Sequence, residues 1–141
     1  MEVTGRRVRD RVRSLCAPFG AAVVLAAAVT CLAVVDPHEP GHYPVCPLYY
    51  LTGLYCPGCG ALRAVHDLAH ADIAGAARMN LLFVFCVPVV ITLWARWALR
   101  SWQGRPMRPD SARLAYLWGL LAVAAVFGVV RNTPFGQFLA P

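Results

Sequence analysis

The run from Leu15 to Val35 constrains this chain more than any other feature. It has twenty-one residues without a charged side chain, and it is entered from Arg6, Arg7, Arg9, Arg11 and Arg13. Wound as a helix at 1.5 Å per residue, it is long enough to cross a hydrocarbon core of about 30 Å. A cleaved signal peptide has the same basic start and apolar middle. This run is longer than a usual signal core, however, and no small-x-small site stands before Asp36. Around Cys31, Ala28-Val29-Thr30 lacks the features of a lipoprotein site. The expectation is a retained spanning helix behind a basic N-terminus, residues 1–14.

Two more apolar runs follow. Leu81–Leu99 is entered through Asn80, a good helix N-cap, and carries Pro88, a candidate kink that membrane helices tolerate. Leu114–Val130 is shorter, and Arg131-Asn132-Thr133-Pro134 stops it. With 59% hydrophobic residues in 141, the expected fold is an all-α integral membrane protein. It has three transmembrane helices, at about 15–35, 80–99 and 114–131, in one membrane domain over residues 15–136. Trp94, Trp97 and Trp102 mark an interface, with Arg96 and Arg100 placed to snorkel.

All thirteen basic residues are arginine, and ten of them lie before residue 14 or between 96 and 113. By the positive-inside rule those segments are cytoplasmic, which leaves the 36–79 segment and the C-terminus extracytoplasmic. Because the arginines flank apolar runs, the net charge of +6 serves membrane orientation and not nucleic-acid binding. The partners expected are the lipid bilayer and another membrane protein.

The chemistry is concentrated between the first two spans. Asp36-Pro37-His38-Glu39-Pro40-Gly41-His42-Tyr43-Pro44 is a rigid, hydrated connector in which His38 and His42 read as exposed. Leu48–Tyr55, with three tyrosines, is too short to span and suits the membrane interface. From about 60 to 78 the pattern is that of an amphipathic helix. At 100° per residue, Cys59, Arg63, His66, Asp67 and His70 share one arc, and Leu62, Val65, Leu68, Ala69 and Ile73 share the other. Asp72 falls on the wrong side of a continuous helix and reads as the N-cap of a new segment after a bend.

Six cysteines divide by surroundings. Cys16, Cys31 and Cys86 sit in apolar runs and read as small buried hydrophobes. Cys46, Cys56 and Cys59 stand together in the loop. Here the chain resembles the domain of unknown function 2752 family of small bacterial membrane proteins. The residues that carry the likeness are Asp36-Pro37, Glu39-Pro40-Gly41, Cys46-Pro47, Thr52-Gly53-Leu54-Tyr55-Cys56-Pro57-Gly58-Cys59-Gly60 and Leu62-Arg63-Ala64. His66, Asp72, Asn80, Arg131-Asn132 and Pro134-Phe135 continue it. The resemblance covers roughly residues 34–136 and implies a bacterial inner-membrane protein, without implying an activity. Gly58, Gly60, Arg63, His66, His70, Asp72 and Asn80 are the candidate motif and interaction residues.

Three readings of the thiols stand. Cys56-Pro57-Gly58-Cys59 is a metal half-site, with Cys46 and one histidine (His66, His42 or His70) completing a zinc centre. Cys56 and Cys59 are also a redox pair, the helix start and Arg63 favouring a Cys59 thiolate. The third reading is a disulfide among the three that pins the loop of a non-enzymatic scaffold or partner-binding protein. His66 lies seven residues beyond Cys59, about 10 Å up a helix, too far to act on its sulfur. No paired carboxylates outside the loop, phosphate-cradling glycine loop or serine elbow appears.

Overall fold

The computed structural model describes residues 2–104 and 111–141. Helix α1 spans Glu2–Val34, α2 Pro47–Thr52, α3 Ala61–Ala69, α4 Ile73–Trp102 and α5 Ser111–Val130, followed by a 3-10 helix at Pro134–Leu139. Every regular element among the described residues is helical. Two stretches are long and apolar enough to cross a membrane, Leu15–Val34 and Ile73–Trp102, and Leu114–Val130 is a shorter apolar helix. Only 6% and 11% of the residues in the two long stretches are buried, whereas the core helix of a soluble protein would be covered on most sides. The apolar surface left open suits contact with lipid. Arg105, Arg108 and Asp110, used in the orientation count, lie outside the described residues.

α1 runs unbroken from the basic segment into the apolar one, with Pro18 inside it. Pro18 is fully buried, and its carbonyl accepts the Trp94 indole N–H at 3.1 Å. The early part of α1 therefore meets the late part of α4. At the opposite end the Leu32 carbonyl accepts from His66 of α3, so α1 and α4 pack antiparallel with α3 laid across the end of α1.

The two caps read from the sequence are present. The Asp72 carboxylate accepts the Gly75 N–H at 2.8 Å and starts α4. Asn80, at φ −158° and ψ 94°, breaks α4 and caps its long second part by accepting the Phe83 N–H at 2.9 Å. Pro88, expected to kink this helix, keeps helical dihedrals; the break is at Asn80. Thr92 instead returns its hydroxyl to the Pro88 carbonyl at 2.7 Å.

Two expectations are corrected. Cys16 and Cys31 are exposed and Cys86 is half-buried, because the two other long helices cannot surround α1 and much of its apolar surface is left open. The amphipathic helix is also turned about: Arg63 and His66 reach toward the end of α1, while Leu62 and Ile73 point outward, 43% and 64% exposed. Val65 and Leu68 stay half-buried and His70 is exposed, so each face is shared between packing and surface.

Between α3 and α4, Ala71 adopts the left-handed conformation at φ 62°, where a Cβ crowds the backbone and glycine does not. Ala71 is exposed, so its methyl group contributes little packing. Ala71→Gly is expected to raise stability by roughly 0.5–1 kcal/mol, measured by thermal unfolding in detergent.

Candidate metal-thiolate site

Each sulfur of the loop arrives by a different local device. Cys46 precedes α2, whose Pro47 fixes the first helical φ, and α2 ends at Gly53 in the left-handed conformation. The chain then turns back through Tyr55, which stacks on Tyr49 at 4.7 Å. Cys56 and Cys59 are joined by a tight turn in which the Cys59 N–H donates to the Cys56 carbonyl at 3.1 Å. Gly60 leaves that turn at φ +84°, and a Cβ there would collide with the Met79 carbonyl. Gly60 is thus required twice, by dihedral and by close approach. Gly58 is not: a Cβ on it would stand 3.8 Å from Cys56 Sγ, an ordinary contact.

The sulfurs converge. Cys46 Sγ lies 3.4 Å from Cys56 Sγ, Cys56 Sγ lies 3.3 Å from Cys59 Sγ, and all three fall within 4.8 Å of one another. A disulfide needs about 2.05 Å, and the cysteines are free thiols. Three sulfurs each about 2.3 Å from one tetrahedral ion would stand roughly 3.8 Å apart, close to what is seen.

The backbone of the knuckle is tied down from far along the chain. Buried Asn80 donates its amide to the Pro57 carbonyl at 2.9 Å and the Cys59 carbonyl at 3.0 Å. Buried Arg131 donates Nη1 to the Cys56 and Cys59 carbonyls at 3.0 and 3.2 Å, and Nη2 to the Leu139 carbonyl at 2.9 Å. Asn132 pairs with both backbone groups of Tyr55 at 2.8 Å. Gly128 lets Pro57 pack directly on α5: a Cβ there would stand 3.0 Å from the proline ring. Arg131 and Asn132 read in the sequence as a helix stop and as part of the family likeness, not as partners of the knuckle. Their hydrogen bonds to the knuckle span more than seventy residues, and no local pattern announces them.

Arg131 lacks a carboxylate partner among the described residues. Its guanidinium sits 5.0 Å from the Phe127 ring centre and 5.7 Å from that of Tyr55, and Nε has no hydrogen bond. A buried cation held only by carbonyls and ring faces favours negative charge nearby, and the adjacent thiols are the groups able to supply it.

The thiols differ sharply. Cys46 is lowered to about 7, first by the Tyr49 backbone N–H and then by the neighbouring sulfurs. Cys59 is pushed up to about 12, first by burial and then by Cys56 and Cys46. The helix start and Arg63 were expected to make Cys59 the thiolate. Burial outweighs the helix start, and Arg63 is turned away, with Nε donating to the Pro37 carbonyl at 3.3 Å.

The histidines do not join the sulfurs. His66 Nδ1–H donates to the Leu32 carbonyl at 2.8 Å, and its ligand atom groups with those of Asp36 and His38. His70 donates Nδ1–H to the His66 carbonyl at 2.9 Å and lies on the His66 ring. His42 is exposed beside Glu39. The connector folds back on α3, bringing His38 and Asp36 to His66 while the cysteine loop closes on itself. Residues 46–94 match the family described as protein of unknown function (DUF2752). This is the family the sequence resembles, matched from Cys46 through the knuckle, α3 and most of α4. Asp36-Pro37 and the Arg131-Asn132 tail lie outside the matched stretch. No curated protein and no solved structure matches the chain.

In reduced, metal-free protein, Cys46 should gain alkylation rate as pH rises through about 7, since the thiolate is the nucleophile. Cys59 should stay unreactive until far more alkaline solution; mass spectrometry of labelled peptides reads both. Arg131→Met removes the donor to the Leu139 carbonyl and the second donor to the Cys56 and Cys59 carbonyls, and is expected to cost roughly 1–3 kcal/mol, measured by unfolding in detergent.

Proposed function

We propose that this chain is a three-span protein of the bacterial inner membrane that holds a soft metal ion, zinc by preference, in a three-thiolate centre on its extracytoplasmic side. The ion serves a non-enzymatic scaffold or partner-binding role. The observation that carries the reading is the convergence of Cys46, Cys56 and Cys59 sulfurs beside buried Arg131. Three thiolates and a divalent cation carry a net charge of −1, which the guanidinium offsets. Such ligands suit zinc or Cu(I), and three protein ligands leave a fourth position for a ligand from solution or a partner.

The topology has support beyond the arginine count. Hydrogen bonds join the end of α1, the cysteine loop, the bend at Asn80 and the end of α5. Three successive spans with the N-terminus cytoplasmic would place these on the opposite face. Exposed Tyr50 and Leu51 on α2 suit an interfacial loop.

A thiol oxidoreductase is the second reading, favoured by one observation: Cys46, lowered to about 7, stands 3.4 Å from Cys56. Attack by a Cys46 thiolate on a substrate disulfide would form a mixed disulfide and release one substrate thiolate. Cys56 would then displace the second, leaving Cys46–Cys56 oxidised. Metal analysis and intact mass of detergent-purified protein separate the readings. The metal centre predicts at least one equivalent of metal that is lost with the thiols, full reduced mass, and thiols that alkylate only after chelation. Each of Cys46→Ser, Cys56→Ser and Cys59→Ser should weaken binding. Metal-free protein two hydrogens lighter would refute the metal centre and favour a disulfide.

A further inference from the structure

A second group of metal-ligating side chains lies about 10 Å along α3 from the thiols, by helix rise. We propose that Asp36, His38 and His66 form a separate binding site for a first-row divalent cation. One ligand atom from each lies within 4.8 Å of the others. Ligand bonds of about 2.0–2.2 Å put neighbouring ligand atoms of one ion roughly 3.0–3.6 Å apart. The distances from Asp36 Oδ1 to His38 Nδ1 and His66 Nε2, 2.8 and 3.8 Å, straddle that range.

The protons make the argument stronger. His66 gives its Nδ1–H to the Leu32 carbonyl, so in the neutral ring Nε2 is a lone pair. That lone pair faces Asp36 Oδ1 at 3.8 Å, too far for a hydrogen bond. The Asp36 carboxyl is held below the usual range, first by the His38 backbone N–H, and is therefore an anion. A lone pair facing an anion is unfavourable unless a positive charge stands between them. His38 has the same shortage: Nδ1 faces Asp36 at 2.8 Å and Nε2 faces Asp67 Oδ1 at 3.6 Å, yet a neutral ring carries one N–H. With both rings neutral, the three ring nitrogens that face Asp36 and Asp67 share a single proton, and a bound dication would supply the positive charge they lack.

The outer contacts are those of ligating histidines, whose second nitrogen donates to a carbonyl or carboxylate. His66 already does so to Leu32. If His38 binds through Nδ1, its proton moves to Nε2, opposite Asp67. Pro37, between two of the ligands, is buried, and its carbonyl accepts from Arg63, which fixes the connector on α3. Two imidazoles and a carboxylate suit zinc, iron(II) or nickel.

Co2+ titration of the full chain in detergent tests the proposal. Wild type should take Co2+ in two classes, one with intense thiolate charge-transfer absorption and one with weak d–d bands only. The protein with Cys46, Cys56 and Cys59 all changed to Ser should keep the second class alone. His38→Gln, at an exposed position, and Asp36→Asn should abolish the second class and spare the first. Asp67→Asn should weaken it roughly 10–100-fold. The proposal is overturned if wild type shows only thiolate-bound Co2+, or if the second class survives both His38→Gln and Asp36→Asn. Loss of the thiolate class alone would refute the three-thiolate centre and leave this site standing.

Discussion

Buried Arg131 is the constraint on which the rest of the cysteine loop depends. One guanidinium takes the carbonyls of Cys56, Cys59 and Leu139, so a single side chain closes the knuckle, the end of α5 and the C-terminal helix into one unit. Asn80 does the same from the other side, holding the Pro57 and Cys59 carbonyls while capping the long part of α4. The turn supplies the Cys59 N–H to the Cys56 carbonyl but leaves the Pro57 and Cys59 carbonyls to donors from elsewhere, and burial makes such a carbonyl costly if unpaired. The two donors answer that cost and thereby fix where the sulfurs point.

Charge explains why these groups sit together. A membrane protein buries a guanidinium only where something compensates it, and around Arg131 the compensation is carbonyl dipoles, two aromatic rings and three thiols. Metal binding would convert those thiols into a fixed anionic centre, so the cation and the site support each other. The same reasoning, with signs reversed, applies to Asp36 and Asp67, which face imidazole nitrogens that do not all carry protons while the rings are neutral. Both clusters meet at α3: Cys59 stands just before it, and His66 lies two turns along it.

Much of this was legible locally. The offsets 59, 63, 66 and 70 place the polar stripe on one helical face, of which Cys59, Arg63 and His66 pack inward while His70 stays exposed. Asp72 and Asn80 were readable as caps because capping is a contact between residues three apart. The activated thiol was not readable. Helix position and Arg63 argued for Cys59, but burial depends on what packs over it, and the loop puts Cys46 beside an N–H instead.

The long apolar runs, the caps at Asp72 and Asn80 and the apolar surface offered to lipid follow from period, capping and side-chain polarity over a few residues, whereas the helix at Pro47–Thr52 and the regular dihedrals at Pro88 were not readable there. The sequence by itself also singled out Cys46, Cys56 and Cys59 by their setting. Only the tertiary structure decided that the three sulfurs meet one another while His66 meets Asp36 and His38. That choice rests on which way the connector folds, on the close approach of Gly60 to Met79, and on the reach of Arg131 and Asn132 across more than seventy residues. Contacts at that separation leave no periodic trace in the chain.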